Sequence, residues 1–185
     1  MFIQTEQTPN PATLKFLPGR TVMESGTANF PERTAAARSP LAERLFQLPE
    51  VGGVFLGSDF ITVTKSEDSD WRQLKPAVLA AIMEHFTSGH PVIVGPPAAP
   101  GAEAPSEEDD EIVAQIKELL ETRVRPAVAM DGGDITFEDF EDGIVYLHMQ
   151  GACSGCPSST ATLKMGIENL LRHYVPEVVE VRSVT

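Results

Sequence analysis

The spacing of apolar residues predicts several short strands in the first half of the chain. Residues 2–5 and 13–17 read as strands on either side of the Pro9-Asn10-Pro11 turn. Residues 51–56 and 60–64 are rich in β-branched and aromatic residues and are separated by Gly57-Ser58-Asp59, which predicts a hairpin. The first half is therefore expected to contain a small sheet.

Two helices are predicted in the same half. The first begins at Ser39, a good N-cap residue, followed by Pro40 at the first helical position. The second has Asp70 as its candidate N-cap, and Pro76 is expected to kink it or to mark its beginning. The apolar residues of the second helix repeat at three- and four-residue spacing. These residues are Leu74, Val78, Ile82 and Phe86.

The last 79 residues predict helix, strand, strand, helix, strand in that order. The turn Glu141-Asp142-Gly143 joins the first two strands as a hairpin, and Pro126 is expected to bend or end the first helix. This order favours a three-stranded mixed sheet covered by two helices. The predicted elements are a helix after Ser106, strands over residues 135–140 and 144–149, a helix from about Pro157 to Tyr174, and a strand over residues 178–184.

A segment rich in Pro, Ala and Gly separates the two halves. Such a composition buries little apolar surface and tends towards extended polyproline structure. We therefore predict an α+β protein of two small domains of mixed helices and strands, residues 1–94 and 107–185, joined by a linker over residues 95–106.

The chain is acidic, with a net charge of −13 from 27 acidic and 14 basic residues. This charge disfavours binding to nucleic acids and to anionic membrane surfaces. No apolar run approaches the ~20 residues of a membrane span. Residues 1–6 have neither the basic start of a secretory signal nor the arginines of a transit peptide, which predicts a cytoplasmic location.

The candidate chemistry lies in a loop with two cysteines, residues 151–156, which we call the cysteine loop. Cys153 and Cys156 are the only cysteines of the chain, and Gly151 and Gly155 allow the backbone to turn sharply beside them. Pro157 suits the start of the next helix, whose dipole is positive at that end. The loop is therefore expected to favour thiolates, the form that binds metals and acts as a nucleophile.

A CxxC pair is consistent with several kinds of site. A thioredoxin-like thiol–disulfide oxidoreductase places the pair after a strand and at a helix start. A zinc site or an iron–sulfur cluster needs about four ligands. Two small buried residues without chemistry would also fit, although the glycine-rich context disfavours this.

The number of ligands favours a site shared between two chains. One chain supplies two thiolates, so two cysteine loops together would supply four. His148 and His173 are expected to be surface or half-buried residues rather than ligands, and His85 and His90 are expected to be solvated. Asp131 and Asp134 are expected to belong to a turn around Gly132-Gly133.

Three segments resemble a known protein family. Residues 131–134, 140–145 and 151–159 resemble the C-terminal domain of NifU, also called the Nfu domain. Residues 2–11 and 60–65 resemble the N-terminal domain of mitochondrial-type Nfu proteins. The resemblance covers nearly the whole chain apart from the linker.

The resemblance implies an iron–sulfur cluster scaffold or carrier, not an enzyme. Cys153 and Cys156 would bind a cluster that bridges two protomers, with [4Fe–4S] favoured and [2Fe–2S] left open. The partners implied are a second copy of the chain, apo iron–sulfur client proteins and other assembly factors. Without a transit peptide, the chain would be a bacterial cytoplasmic version of such a protein. The thioredoxin-like reading remains the alternative.

Overall fold

The computed structural model describes residues 1–95, 111–154 and 157–184, with the backbone alone at residues 157–159. Within these residues the chain forms two sheets, each packed against its own helices around its own hydrophobic core. The predicted α+β class is confirmed. The elements in chain order are β1 (Gln4–Gln7), β2 (Thr13–Leu17), β3 (Ala28–Phe30), a 3₁₀ helix (Arg33–Arg38), α1 (Pro40–Leu45), β4 (Val51–Leu56), β5 (Ile61–Lys65), α2 (Trp71–Ser88), α3 (Glu111–Leu119), a π-helical turn (Leu120–Val124), α4 (Arg125–Met130), β6 (Gly133–Glu141), β7 (Ile144–Gly151), α5 (Pro157–Tyr174) and β8 (Glu180–Val184).

The N-terminal sheet has five strands in the order β1-β2-β5-β4-β3, and every neighbouring pair is antiparallel. Its inner face carries residues such as Phe16, Val54 and Ile61 into the core that α1 and α2 cover. The strand Ala28–Phe30 was not predicted, since three residues are too few to show a period of two.

Helix α2 begins where its cap residue predicts, because the Asp70 side chain accepts a hydrogen bond from the amide of Arg72. Pro76 does not mark its beginning, since the helix starts five residues earlier at Trp71. The expectation that His85 lies at the surface is wrong: only 1% of this residue is exposed. It follows Val78 and Ile82 at helical spacing, so it shares their buried face.

The C-terminal sheet has the order β6-β7-β8, with β6 antiparallel and β8 parallel to the central strand. This is the mixed three-stranded sheet that the element order predicted. Its hairpin turns at Asp142 and Gly143, whose φ angles are 51° and 79°. Helix α5 provides the connection to the parallel strand and buries Ile167 and Leu171 in the core.

Pro126 does not end the helical segment that precedes this sheet. The backbone stays helical from Glu111 to Met130, and a π-helical turn over Leu120–Val124 lies directly before α4, in whose first turn Pro126 is placed. A π turn widens the hydrogen-bond ladder by one residue, which accommodates a proline without an amide hydrogen. Residues 96–106 of the predicted linker and the predicted helix start at residues 107–110 lie outside the described residues. No helix in the described part of the chain is long and apolar enough to cross a membrane.

Candidate functional site

The cysteine loop begins at Gly151, the last residue of the central strand β7. The Ser154 amide donates a hydrogen bond to the Gly151 carbonyl at 3.1 Å, which closes the turn around Cys153. Thr160, in the first turn of α5, donates its hydroxyl to the Cys153 carbonyl at 3.0 Å. Strand end and helix start therefore fix Cys153 from both sides. Cys156, the second predicted ligand, lies outside the described residues.

Two glycines leave the space that the Cys153 thiol and its loop occupy. A Cβ atom at Gly133, which starts β6, would lie 2.5 Å from Cys153 Sγ, so no larger residue fits there without displacing the thiol. Gly151 has a φ of +63°, and a Cβ atom on it would lie 2.7 Å from the Gly132 carbonyl oxygen. The ends of β6 and β7 therefore form a glycine-lined cradle for one sulfur atom, which fits a cysteine ligand better than a bulky side chain.

Cys153 is buried, with 5% of the residue exposed, and it packs in the core of the C-terminal sheet. Burial raises the pKa of its thiol to about 12, and the negative charges of Asp131 and Asp134 add to this shift. The expectation that the loop favours the thiolate is therefore wrong for Cys153 in this conformation. The start of α5 is four residues away at Pro157, and the effect of the helix dipole falls off within the first turn.

Asp134 is a buried charge rather than a turn residue. It lies in β6, and Arg125 donates two hydrogen bonds to its carboxylate, from Nε to Oδ1 and from Nη2 to Oδ2, both at 2.8 Å. The same guanidinium reaches Glu121 through Nη1. These hydrogen bonds raise the pKa of Arg125 above its ordinary value, so the guanidinium stays charged beside the cysteine loop. Only Asp131 has the turn position that the sequence predicted.

The N-terminal half of the chain contacts the turn before β6 through the sheet face that its own helices leave open, and contacts the cysteine loop through Asn10. Thr62 donates its hydroxyl to the Gly132 carbonyl at 2.8 Å, and the Lys15 ammonium donates to the Met130 carbonyl at 3.1 Å. Asn10 donates its side-chain amide to the Ser154 carbonyl at 3.2 Å. The candidate site is therefore lined by both sheets.

The histidines form no three-residue metal-binding group within the described residues. No group of three or more His, Cys, Asp and Glu side chains in residues 1–95, 111–154 and 157–184 is arranged to hold a metal ion. His148 is half-buried in β7, while His90 and His173 are exposed.

The sequence analysis missed Arg125, Lys15 and Thr62 as parts of the site. A usable signal was present in β4, because Val54, Phe55 and Leu56 are three apolar residues in succession. A strand with one solvated face would alternate, so such a run indicates burial on both faces. It predicts that something covers the second face of the N-terminal sheet, without saying what.

Two family profiles match the chain in separate segments. Residues 3–89 match "Scaffold protein Nfu/NifU N terminal", and residues 116–182 match "NifU-like domain". Among solved structures, a NifU-like protein from Saccharomyces cerevisiae is 28% identical, with a TM-score of 0.46 over 50% of this chain and 84% of that protein.

Curated relatives match along most of the chain. The human protein named "NFU1 iron-sulfur cluster scaffold homolog, mitochondrial" is 56% identical over the whole chain, which spans 72% of that protein. "NifU-like protein 4, mitochondrial" from Arabidopsis thaliana is 58% identical over 96% of the chain, which spans 64% of that protein.

These names correct one expectation. The predicted bacterial cytoplasmic location is wrong, because the relatives at 53–58% identity are mitochondrial proteins and point to a mitochondrial or plastid location. The prediction rested on the composition of residues 1–6, and this composition does not determine where the protein is located. With both segments matched in order and more than half of the aligned positions identical, the chain belongs to the Nfu/NifU family of iron–sulfur cluster scaffold proteins.

Proposed function

We propose that two copies of this chain hold one iron–sulfur cluster through Cys153 and Cys156 of each copy and pass it to apo-protein acceptors. The preferred cluster is [4Fe–4S]. The observation that carries the proposal is the number of cysteine ligands. The sequence contains two cysteines, both in the CxxC pair, and a cluster needs about four thiolates. The protein delivers a cargo and transforms no substrate, so it is not an enzyme.

The chemistry of delivery is an exchange of thiolates. Each acceptor thiol loses its proton as it binds iron, and each cysteine that leaves the cluster takes up a proton. Burial and two nearby carboxylates raise the pKa of Cys153 to about 12, so this residue regains its proton readily once it leaves iron. A ligand of this kind suits release better than permanent retention.

The thiol–disulfide alternative receives no support from the comparisons. A reactive thiol needs a lowered pKa and access to solvent. Cys153, the first cysteine of the pair, has a raised pKa and is buried. The cluster carrier therefore remains the function that the site supports best.

Cysteine substitution in the full chain tests the proposal. We expect wild-type protein, reconstituted anaerobically with iron and sulfide, to bind about four iron and four sulfide per dimer and to elute as a dimer. Cys153→Ser and Cys156→Ser should each lose the cluster. Ser154→Ala is the matched control, because residue 154 lies in the same loop with an exposed side chain, and this variant should retain the cluster.

Two results would contradict the proposal. One is a Cys156→Ser variant that retains stoichiometric iron and sulfide. The other is a cluster-loaded monomer with no added thiol, since a single chain would then complete the shell. Circular dichroism of each variant shows whether the loss of cluster reflects a missing ligand or a missing fold.

A further inference from the structure

The outer face of the N-terminal sheet has a composition suited to binding another surface. Phe55 and Phe60 are 1% and 3% exposed, yet neither belongs to the two hydrophobic cores. Lys15 is buried on the same face, with its ammonium 4.9 Å from the centre of the Phe60 ring and 3.5 Å from Glu6. A lysine is almost never buried without a partner, and Lys15 has two: Glu6 within the sheet and the Met130 carbonyl of the C-terminal half.

Three residues form a continuous row across this face. Lys15 of β2 lies opposite Thr62 of β5, and Thr62 lies opposite Phe55 of β4. The side chains of paired residues point to the same side of a sheet. We call Lys15, Thr62 and Phe55 the outer row.

The outer row contacts the turn that supports the backbone beside Cys153. Thr62 and Lys15 donate to the carbonyls of Gly132 and Met130, in the turn that leads into β6. The Gly132 carbonyl also accepts the amide of Ala152, the residue before Cys153, at 3.2 Å. The row therefore bonds the same carbonyl that holds the cysteine loop in place.

Two further positions show how close this contact is. A Cβ atom at Gly151 would lie 3.2 Å from the Phe55 ring, and one at Gly132 would lie 3.1 Å from the Thr62 hydroxyl. Beyond the row, Thr27 donates its hydroxyl to Asp134 at 2.9 Å, and Asn10 bonds the Ser154 carbonyl. The absence of side chains at the glycines around Cys153 thus leaves room both for the thiol and for the close approach of the N-terminal sheet.

We propose that the outer row is an intramolecular binding surface for residues 130–133 and 151–154, and that it competes with the approach of a second copy of the chain to Cys153. This inference rests on the proposed function, in which two cysteine loops must face each other across one cluster. The partner that the surface fits is the backbone of residues 130–133 and 151–154 of its own chain, recognised by donors to carbonyl oxygens and by an aromatic ring against glycine.

The contact between the outer row and the backbone of residues 130–133 and 151–154 is weak enough to break reversibly. It consists of hydrogen bonds of modest net strength and of side chains against glycine, with no member of either core in the row. Contacts between segments with separate cores resemble transient protein interfaces. Closed, the row covers Gly151 and the turn before β6, next to Cys153. Open, it leaves this edge of the C-terminal sheet free to meet a second copy.

The test weakens the row without touching a cysteine. Lys15→Met keeps the length of the side chain and removes the ammonium, and Thr62→Val keeps its shape and removes the hydroxyl. Thr64→Val is the matched control: it lies on the same strand and face, but its hydroxyl bonds Thr13 within the N-terminal sheet. Thr62→Val alone serves as the milder variant if the double variant is poorly folded.

Two readouts are compared in the full chain. Hydrogen exchange of the cluster-free protein over residues 130–135 and 150–154 should be faster in Lys15→Met/Thr62→Val than in wild type, by roughly thirtyfold if two ordinary hydrogen bonds are lost. The rate of cluster loading during anaerobic reconstitution should rise in the same variant. Thr64→Val should match wild type in both measurements.

Unchanged exchange and unchanged loading in the row variants would overturn the inference while the proposed function stands. Slower loading than wild type would also overturn it, since the row would then support cluster binding rather than compete with it. If no form of the chain retained a cluster, the proposed function would fail, and the exchange measurement alone would still decide whether the outer row holds the loop.

Discussion

At the candidate site, the buried carboxylate of Asp134 is paired with the guanidinium of Arg125. Asp134 has a side chain that is 4% exposed, and it is held by both donors of one guanidinium edge and by the Thr27 hydroxyl. Arg125 directly follows the π-helical turn, at the first position of α4. Removing one member of such a pair leaves a buried charge without its partner.

Arg125→Met should therefore lower the free energy of unfolding by about 3 kcal/mol, as for other broken buried ion pairs. Glu121→Gln is the control on the same guanidinium: the Glu121 side chain is 57% exposed, so its loss should cost less than about 1 kcal/mol. Urea unfolding of both variants measures the difference. Equal losses would show that burial of the carboxylate does not decide the cost.

His85 is a second residue whose environment has a measurable consequence. Burial lowers its pKa below the ordinary value of 6.5, and the nearby charges of Arg44 and His90 act in the same direction. Its Nε2 has no hydrogen-bond partner among the described residues. Above pH 6.5 the imidazole is neutral in both states; below it the unfolded chain binds a proton that the folded chain excludes, so acid destabilises the fold.

His85→Leu should remove this sensitivity. The stability of the variant relative to wild type should increase from pH 8 to pH 5, by at most about 1.4 kcal/mol per pH unit below 6.5. Ile82→Val, one turn earlier on the same buried face of α2, should cost about 1 kcal/mol equally at both pH values. A difference between His85→Leu and wild type that does not change with pH would refute the role of His85.

At the scale of helices and strands, the sequence predicted what depends on local signals. Asp70 as a cap, the hairpin at residues 141–143 and the helix after Pro157 all follow from turn chemistry and apolar spacing, and the structure confirms them. The π-helical turn was not predictable, because its cause is the packing of Pro126 in a continuous helix. The cover of the outer row was missed for the same reason: strand patterns show that a face is buried, and not what buries it.

Two glycines, one in a tight turn and one in a helix, test whether local backbone conformation decides the effect of a substitution. Gly143 has a φ of +79°, and a Cβ atom on it would lie 2.9 Å from Val179, so Gly143→Ala should cost about 1–2 kcal/mol or more. Gly166 lies within α5 with nothing within 4 Å of an added Cβ atom, so Gly166→Ala should stabilise the protein by about 0.5–1 kcal/mol. Thermal unfolding distinguishes the two. A destabilised Gly166→Ala variant would contradict the open space seen there.

For the whole molecule, the candidate site lies where the two sheets meet, and the two halves differ in charge. Residues 1–106 hold 11 acidic and 8 basic residues, and residues 107–185 hold 16 acidic and 6 basic ones. Within one chain, Lys15 brings a positive charge from the less acidic half to the turn before β6 of the more acidic half. A second copy of the chain does not neutralise this negative charge, because it carries the same net charge of −13.

This charge predicts how association should respond to salt. Joining two chains of net charge −13 around an anionic cluster costs repulsion that falls as ions screen it, with a Debye length of ~10 Å at 0.1 M and ~3 Å at 1 M. The dimer fraction of the cluster-loaded protein, measured by anaerobic sedimentation velocity at one protein concentration, should therefore rise between 0.05 M and 0.5 M sodium chloride. Sucrose at matched osmolarity is the control, because it does not screen charge. A dimer fraction that falls with salt would mean that ion pairs across the interface outweigh the repulsion of the whole chains.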